Sequence, residues 1–198
     1  MLSKEIIQWI QGCFEENNRK TAVIGISGGK DSAVVAALCK EALGEQNVYG
    51  IMMPNGDQKD ISDSKQVIAE LGINSGCANI KPVYDAVLQC VEEAIGMPAS
   101  EGAKINIAPR LRMALLYTIA QTLSEMNKAK ACVAGTGNRG EAEVGYTTKW
   151  GDSASDINPI RNLWVDEVLQ VGDELGYFPD IIQKVPSSSL RRPLRKIG

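Results

Sequence analysis

Apolar positions along this 198-residue chain alternate between helical and strand spacing, and that alternation predicts the elements. Leu2, Ile6, Trp9, Ile10 and Cys13 stand three and four apart, so residues 3–17 read as an amphipathic helix. Thr21–Ile26 is a short apolar run typical of a buried strand. Ser32–Leu43 is Ala-rich, apolar and closed by Gly44, which reads as a helix. Val48–Met53 is a second buried strand, stopped by Pro54 and an Asn55-Gly56 turn. A helix follows over Asp60–Leu71, with Asp60 or Ser62 as its cap and Gly72 as its stop. Ala78–Ile80 is a weak third strand, and Val83–Ile95 is a helix ending at Gly96. Met97–Lys104 carries Pro, Ser and Gly and reads as a mobile surface loop. Ile105–Met126 is apolar on more than one face, which predicts a long helix buried on two sides, either in a dimer interface or at the centre of a monomer. Ala129–Gly135 is a fourth strand, Asp156–Ile160 a short fifth, and Asp166–Leu175 a last helix stopped at Gly176.

Strands alternating with helices place the chain in the α/β class, as a doubly wound parallel sheet of about five strands flanked by helices. No internal repeat or low-complexity linker divides it, so residues 1–198 are expected to form a single domain.

Composition changes this picture mainly by exclusion. The chain is 44% hydrophobic with a net charge of −3 and no basic stripe before its tail, so nucleic acid is not an expected partner, and no segment is long and apolar enough to make a membrane one. Five cysteines without a C-x-x-C pair, most in apolar runs, read as reduced core residues of a cytoplasmic protein. The absence of histidine removes Ser-His-Asp triads, Cys-His pairs and His-ligated zinc. What remains is carboxylates, Lys, Arg, hydroxyls, backbone dipoles and a hard cation, which suits phosphate chemistry.

The first strand runs into Gly25-Ile26-Ser27-Gly28-Gly29-Lys30-Asp31-Ser32 and then a helix. A strand, a glycine turn and a helix N-terminus together make an anion site, because unpaired N–H groups and the helix dipole both favour negative charge. The Walker pattern fails, with Ile24 and Asp31 in its required places, and the dinucleotide fingerprint fails at Ser27. S-G-G-x-D-S after a strand resembles the PP-loop of ATP pyrophosphatases, which cut ATP between its α- and β-phosphates. Asp31 agrees with this, since a carboxylate beside phosphates needs a divalent cation between them. A second polar run, Gly135-Thr136-Gly137-Asn138-Arg139-Gly140-Glu141 and on to Asp152, follows the fourth strand and reads as an irregular loop. In an open parallel sheet, ligands collect at such carboxyl ends.

Together these stretches resemble NAD synthetase: G-T-G-N-x-x-E-x-x-V-G-Y-x-T-K-x-G-D-x-x-x-D-I-x-P-I beside G-I-S-G-G-K-D-S. Met53–Asp60 and Asn106–Met113 agree with the same family, so the resemblance covers about residues 20–190. It implies an adenine nucleotide alpha hydrolase-like fold, a homodimer and the ammonia-dependent reaction, since no amidase domain is attached. In that reaction ATP, deamido-NAD and ammonia give NAD, AMP and pyrophosphate through an acyl-adenylate. It further implies that Gly25, Ile26, Ser27, Gly28, Gly29, Lys30, Asp31 and Ser32, with Thr136 and Ser187, bind ATP. Asp31 and Glu141 would hold Mg²⁺, and Arg110, Lys149 and Asp156 would contact deamido-NAD. Lys30 reads as a solvated or phosphate-steering charge rather than a base.

Two departures stand out against the family. Val165 occupies the place of an ATP-binding Lys, and Ser188-Ser189-Leu190 runs at once into Arg191-Arg192-Pro193, as if roughly a helical hairpin were missing near 188–190. Two alternatives therefore stay open: another PP-loop adenylating amidotransferase, and a nucleotide-binding remnant without turnover.

Overall fold

The computed structural model describes residues 1–58 and 61–182. Four strands, β1 (Arg19–Gly25), β2 (Val48–Met52), β3 (Asn74–Cys77) and β4 (Lys130–Val133), form one parallel sheet in the order β3-β2-β1-β4. The chain therefore builds outward from β1 to β3 and then returns to lay β4 on the other side of β1. Connections leaving β1 and β4 part in opposite directions, which opens a crevice at the carboxyl edge between them.

One face of the sheet is covered by α1 (Leu2–Glu16), α2 (Lys30–Leu43), α3 (Ile61–Leu71), α7 (Val165–Leu175) and α8 (Pro179–Ile182). Helix α2 is the centre of that layer. Every residue from Ser32 to Cys39 is buried, which explains why its sequence is apolar all round rather than amphipathic. Its small residues (Ala33, Ala36 and Ala37) let α1, α3 and α7 pack closely about it. The opposite face is covered by α5 (Glu101–Asn127), whose Leu111, Leu115, Leu116, Ile119 and Leu123 lie over Val23, Ile51 and Val133. Helix α4 (Lys81–Ile95) leans on α5 and has no buried residue of its own.

Several expectations are corrected. The fifth strand at Asp156–Ile160 is reduced to a single parallel bridge, Ala134 with Ile157, so the sheet has four strands. The third strand lies at Asn74–Cys77 rather than Ala78–Ile80. This edge strand holds Asn, Ser and Gly and is specified by main-chain pairing with β2, so no apolar run marks it. The expected surface loop Met97–Lys104 is half helix. Ser100 caps α5, its hydroxyl accepting from the Ala103 N–H at 3.3 Å, and Glu101 begins the helix. Within the single chain α5 is covered on one side, with Ile107 and Ala120 its buried residues and its outer face open, so it is not the central helix of a monomer. Of the five cysteines, all free, Cys39 and Cys132 are buried while Cys77 and Cys90 are exposed. The expected cap Asp60 lies outside the described residues, and Ser62 lies inside α3. Among the described residues, no helix is long and apolar enough to cross a membrane.

Candidate active site

The turn after β1 is shaped by its own hydroxyls. The Ser32 hydroxyl donates to the Gly29 carbonyl at 2.9 Å and accepts from the Ser27 N–H at 3.2 Å. With its one proton spent, Ser32 must accept from the Ser27 hydroxyl at 3.1 Å, while Ser27 Oγ accepts from the Gly29 N–H at 3.2 Å. Gly28 sits at φ +83°, a conformation that L side chains rarely adopt, so this position calls for glycine. The first intrahelical bond of α2 runs from the Ala33 N–H to the Gly29 carbonyl, so the N–H groups of Lys30, Asp31 and Ser32 have no partner within the helix. Three donors and a helix dipole thus face the crevice at one point.

The loop after β4 presents the matching carboxylate, and it is irregular except for one turn. Arg139–Glu143 is a one-turn helix, α6, whose start is held by a reciprocal capping box. Asn138 Oδ1 accepts from the Glu141 N–H at 3.0 Å, and Glu141 Oε2 accepts from the Asn138 N–H at 3.1 Å. The Asn138 amide then reaches across to Asp31 Oδ1 at 3.4 Å, so one buried side chain ties the β1 turn to α6. Burial pushes the Glu141 carboxyl up from its ordinary value, and the Asp31 charge adds to this against the Asn138 N–H. Lys30 Nζ is not simply solvated: it pairs with Asp31 Oδ2 at 3.0 Å.

The two loops enclose a cleft of about 210 Å³. Of the expected residues, Ser27, Gly29, Asp31, Ser32, Thr136 and Glu141 line it, while Gly25, Ile26, Gly28 and Lys30 form the turn behind. Arg110 and Lys149 lie outside it but together, the Arg110 Nε donating to the Lys149 carbonyl at 3.2 Å. Their approach depends on Gly151, where a Cβ would stand 2.9 Å from that of Pro109 on α5. Asp156 fastens the end of β4 with one carboxylate oxygen, Oδ2, accepting from the Val133 N–H at 2.8 Å. Val165, at the start of α7, lies near Gly140. Ser187 and the 188–190 region lie outside the described residues.

Sequence reasoning assigned no role to Asn138, Asp152, Asn158 or Arg161, all of which line the cleft. Asn138 was detectable, because Asn three residues before Glu is a helix-start signature. Asp152 answers to the Thr148 N–H at 2.6 Å, a local turn contact with no sequence signal of its own.

An α/β sheet with an N–H-lined turn and a facing carboxylate at its switch point defines the architecture of a phosphate-binding nucleotide domain. The NAD synthase family model matches residues 2–195, and the chain belongs to that family. It is 41% identical over 177 residues to the NH(3)-dependent NAD(+) synthetase of Pyrococcus furiosus, a match covering 89% of this chain and 65% of that protein. The chain thus spans just under two thirds of that curated relative's length. Among solved structures, it resembles an NH3-dependent NAD synthetase from Campylobacter jejuni, with TM-score 0.81, 30% identity and coverage of 92% and 76%. An NMN synthetase from Francisella tularensis matches with TM-score 0.83, 32% identity and coverage of 94% and 74%. These likenesses agree with the α/β architecture.

Proposed function

We propose that this chain makes NAD from deamido-NAD, ATP and ammonia, as a single cytoplasmic domain acting in a homodimer. The observation that carries the reading is the convergence of the Ser27–Ser32 turn and the Asn138–Glu141 cap on one cleft in a chain of this family. The nicotinate carboxylate attacks the α-phosphorus, the bond to the bridging oxygen breaks, and pyrophosphate leaves into the turn. Its charge is met by the N–H groups of Lys30, Asp31 and Ser32 and by the dipole of α2. Ammonia then attacks the acyl carbon, AMP departs with the former carboxylate oxygen, and one proton is released. Neither step demands histidine. Thr136 and Ser187 complete the ATP contacts, while Arg110, Lys149 and Asp156 hold the dinucleotide.

The cleft fits a hard divalent cation. Asp31 and Glu141 both line it and supply oxygen donors only, the donor type that a hard cation takes. Two carboxylates completed by substrate phosphates and water suit Mg²⁺, which when bound neutralises phosphate charge.

The homodimer reading is supported by the outer face of α4 and α5. Val83, Val91 and Ile95 of α4, Met97 just after it and Ile105 of α5 are all exposed, apolar side chains that a partner copy would cover. Sedimentation of the full chain is expected to give a dimer, and Ile95→Glu should shift it toward monomer; a monomeric parent chain discards this face as the interface.

The deciding experiment follows NAD and AMP in parallel from deamido-NAD, ATP, Mg²⁺ and ammonium, with nicotinate mononucleotide as a competing acceptor. One NAD per AMP is expected. Amide formed only from the mononucleotide would move the acceptor toward that of the Francisella relative. AMP without either amide would reject both.

A further inference from the structure

The cleft is an odd receptacle for a polyphosphate. Asp31, Glu141 and Asp152 line it, and all three are acidic. Lys30, the cation nearest the turn, is already committed to Asp31 at 3.0 Å. Even with a divalent cation held between the two metal-type carboxylates, a bound nucleotide's phosphate chain keeps negative charge to be met.

Arg161 is the cation that lines the cleft. Among the described residues, its guanidinium has no ion pair and no hydrogen bond. Its backbone, by contrast, is firmly held. The Arg161 N–H donates to the Asn158 carbonyl, the Leu163 N–H to the Ile160 carbonyl, and the Leu163 carbonyl accepts from the Arg139 N–H at 2.8 Å. Ile160 and Leu163 on either side are buried in the core. Arg161 is an exposed residue, so its unpaired guanidinium on a fixed backbone is free to meet an anion in the cleft, where its planar fork matches phosphate oxygens.

Topology puts it on the wall away from the turn. Ala134 at the end of β4 donates its N–H to Val23 of β1 on one side and bridges to Ile157 on the other. The Ser27–Ser32 turn and the Asn158–Arg161 turn therefore flank the β4 loop from opposite sides.

We infer that Arg161 binds the phosphate chain of the nucleotide from the wall opposite the Ser27–Ser32 turn. This rests on the nucleotide reading of the cleft but adds a ligand that the family's motif residues do not include. It supplies, from a different element, the positive charge that Val165 does not.

The test is calorimetric binding of Mg·ATP, inorganic pyrophosphate and uncharged adenosine to the full chain and to Arg161→Gln and Arg161→Lys. Arg161→Gln should weaken Mg·ATP by about ten- to a hundredfold, as expected for one charge-assisted contact, and leave adenosine binding and the unfolding midpoint unchanged. Arg161→Lys should recover part of the loss. Equal Mg·ATP and pyrophosphate affinity in Arg161→Gln and the parent chain overturns the inference while leaving the synthetase reading intact. A parent chain that binds Mg·ATP but forms no NAD leaves Arg161 to be decided by the same variants. One that binds no Mg·ATP overturns both.

Discussion

Replacing Asp31 by Asn, or Glu141 by Gln, is expected to lower the rate of Mg²⁺-dependent NAD formation by about a thousandfold while leaving the fold intact. Both carboxylates line the one cleft and neither lies in the hydrophobic core. Each replacement amide keeps the shape and an acceptor oxygen. In Asp31→Asn that oxygen can still accept from the Asn138 amide, and in Glu141→Gln it can still accept from the Asn138 N–H, so the contacts at 3.4 Å and 3.1 Å survive. Glu141→Gln also removes a charge that burial disfavours and that Asp31 repels, so its unfolding midpoint should stay level or rise. Asp31→Asn strips Lys30 of its partner in a pair that is mostly covered, with side chains 13% and 23% exposed, so its unfolding midpoint should fall somewhat while the fold is kept. Steady-state rates across a Mg²⁺ series, beside thermal unfolding of the same samples, separate the two effects. A variant with parental rate at saturating ATP takes its carboxylate out of the reaction.

How much of this was legible in the sequence differs between the two loops. The β1 turn was readable because its geometry is written locally: Gly28 occupies a positive-φ position, and apolar runs bracket the turn on both sides. Helix α2 was readable for the same reason, its apolar residues being continuous where it is surrounded by other elements. The edge of the sheet was not. Asn74–Cys77 pairs through its main chain, so its side chains carry no alternation, and the signal fell just past it on Ala78–Ile80. Ile157 and Ile160 are buried as expected of a strand, yet only one bridge forms, because Pro159 interrupts the segment just after it. Arg161 was illegible in principle. An arginine in a turn looks the same in sequence whether it faces solvent or a cleft, and only the return of β4 beside β1 decides which.

Asn138 is where the legible and illegible parts meet, and its substitution separates them. Asn138→Ala should cost about 1 kcal/mol of stability, the usual loss for an N-cap, but reduce NAD formation by more, about 10- to 100-fold. The excess arises because Asn138 does two jobs from a nearly closed position, being 3% exposed. Its oxygen caps α6 and thereby aims Glu141, while its amide reaches Asp31 across the cleft. Serine divides these roles: it caps a helix about as well as asparagine but is too short to span to Asp31. Asn138→Ser is therefore expected to regain the unfolding midpoint without regaining full activity, with the deficit seen in kcat and in the Mg²⁺ concentration needed for half-maximal rate. If serine restores both, the cap alone accounts for Asn138, and the bond to Asp31 contributes nothing to the reaction. If alanine itself keeps the parental rate, the cap does not aim Glu141.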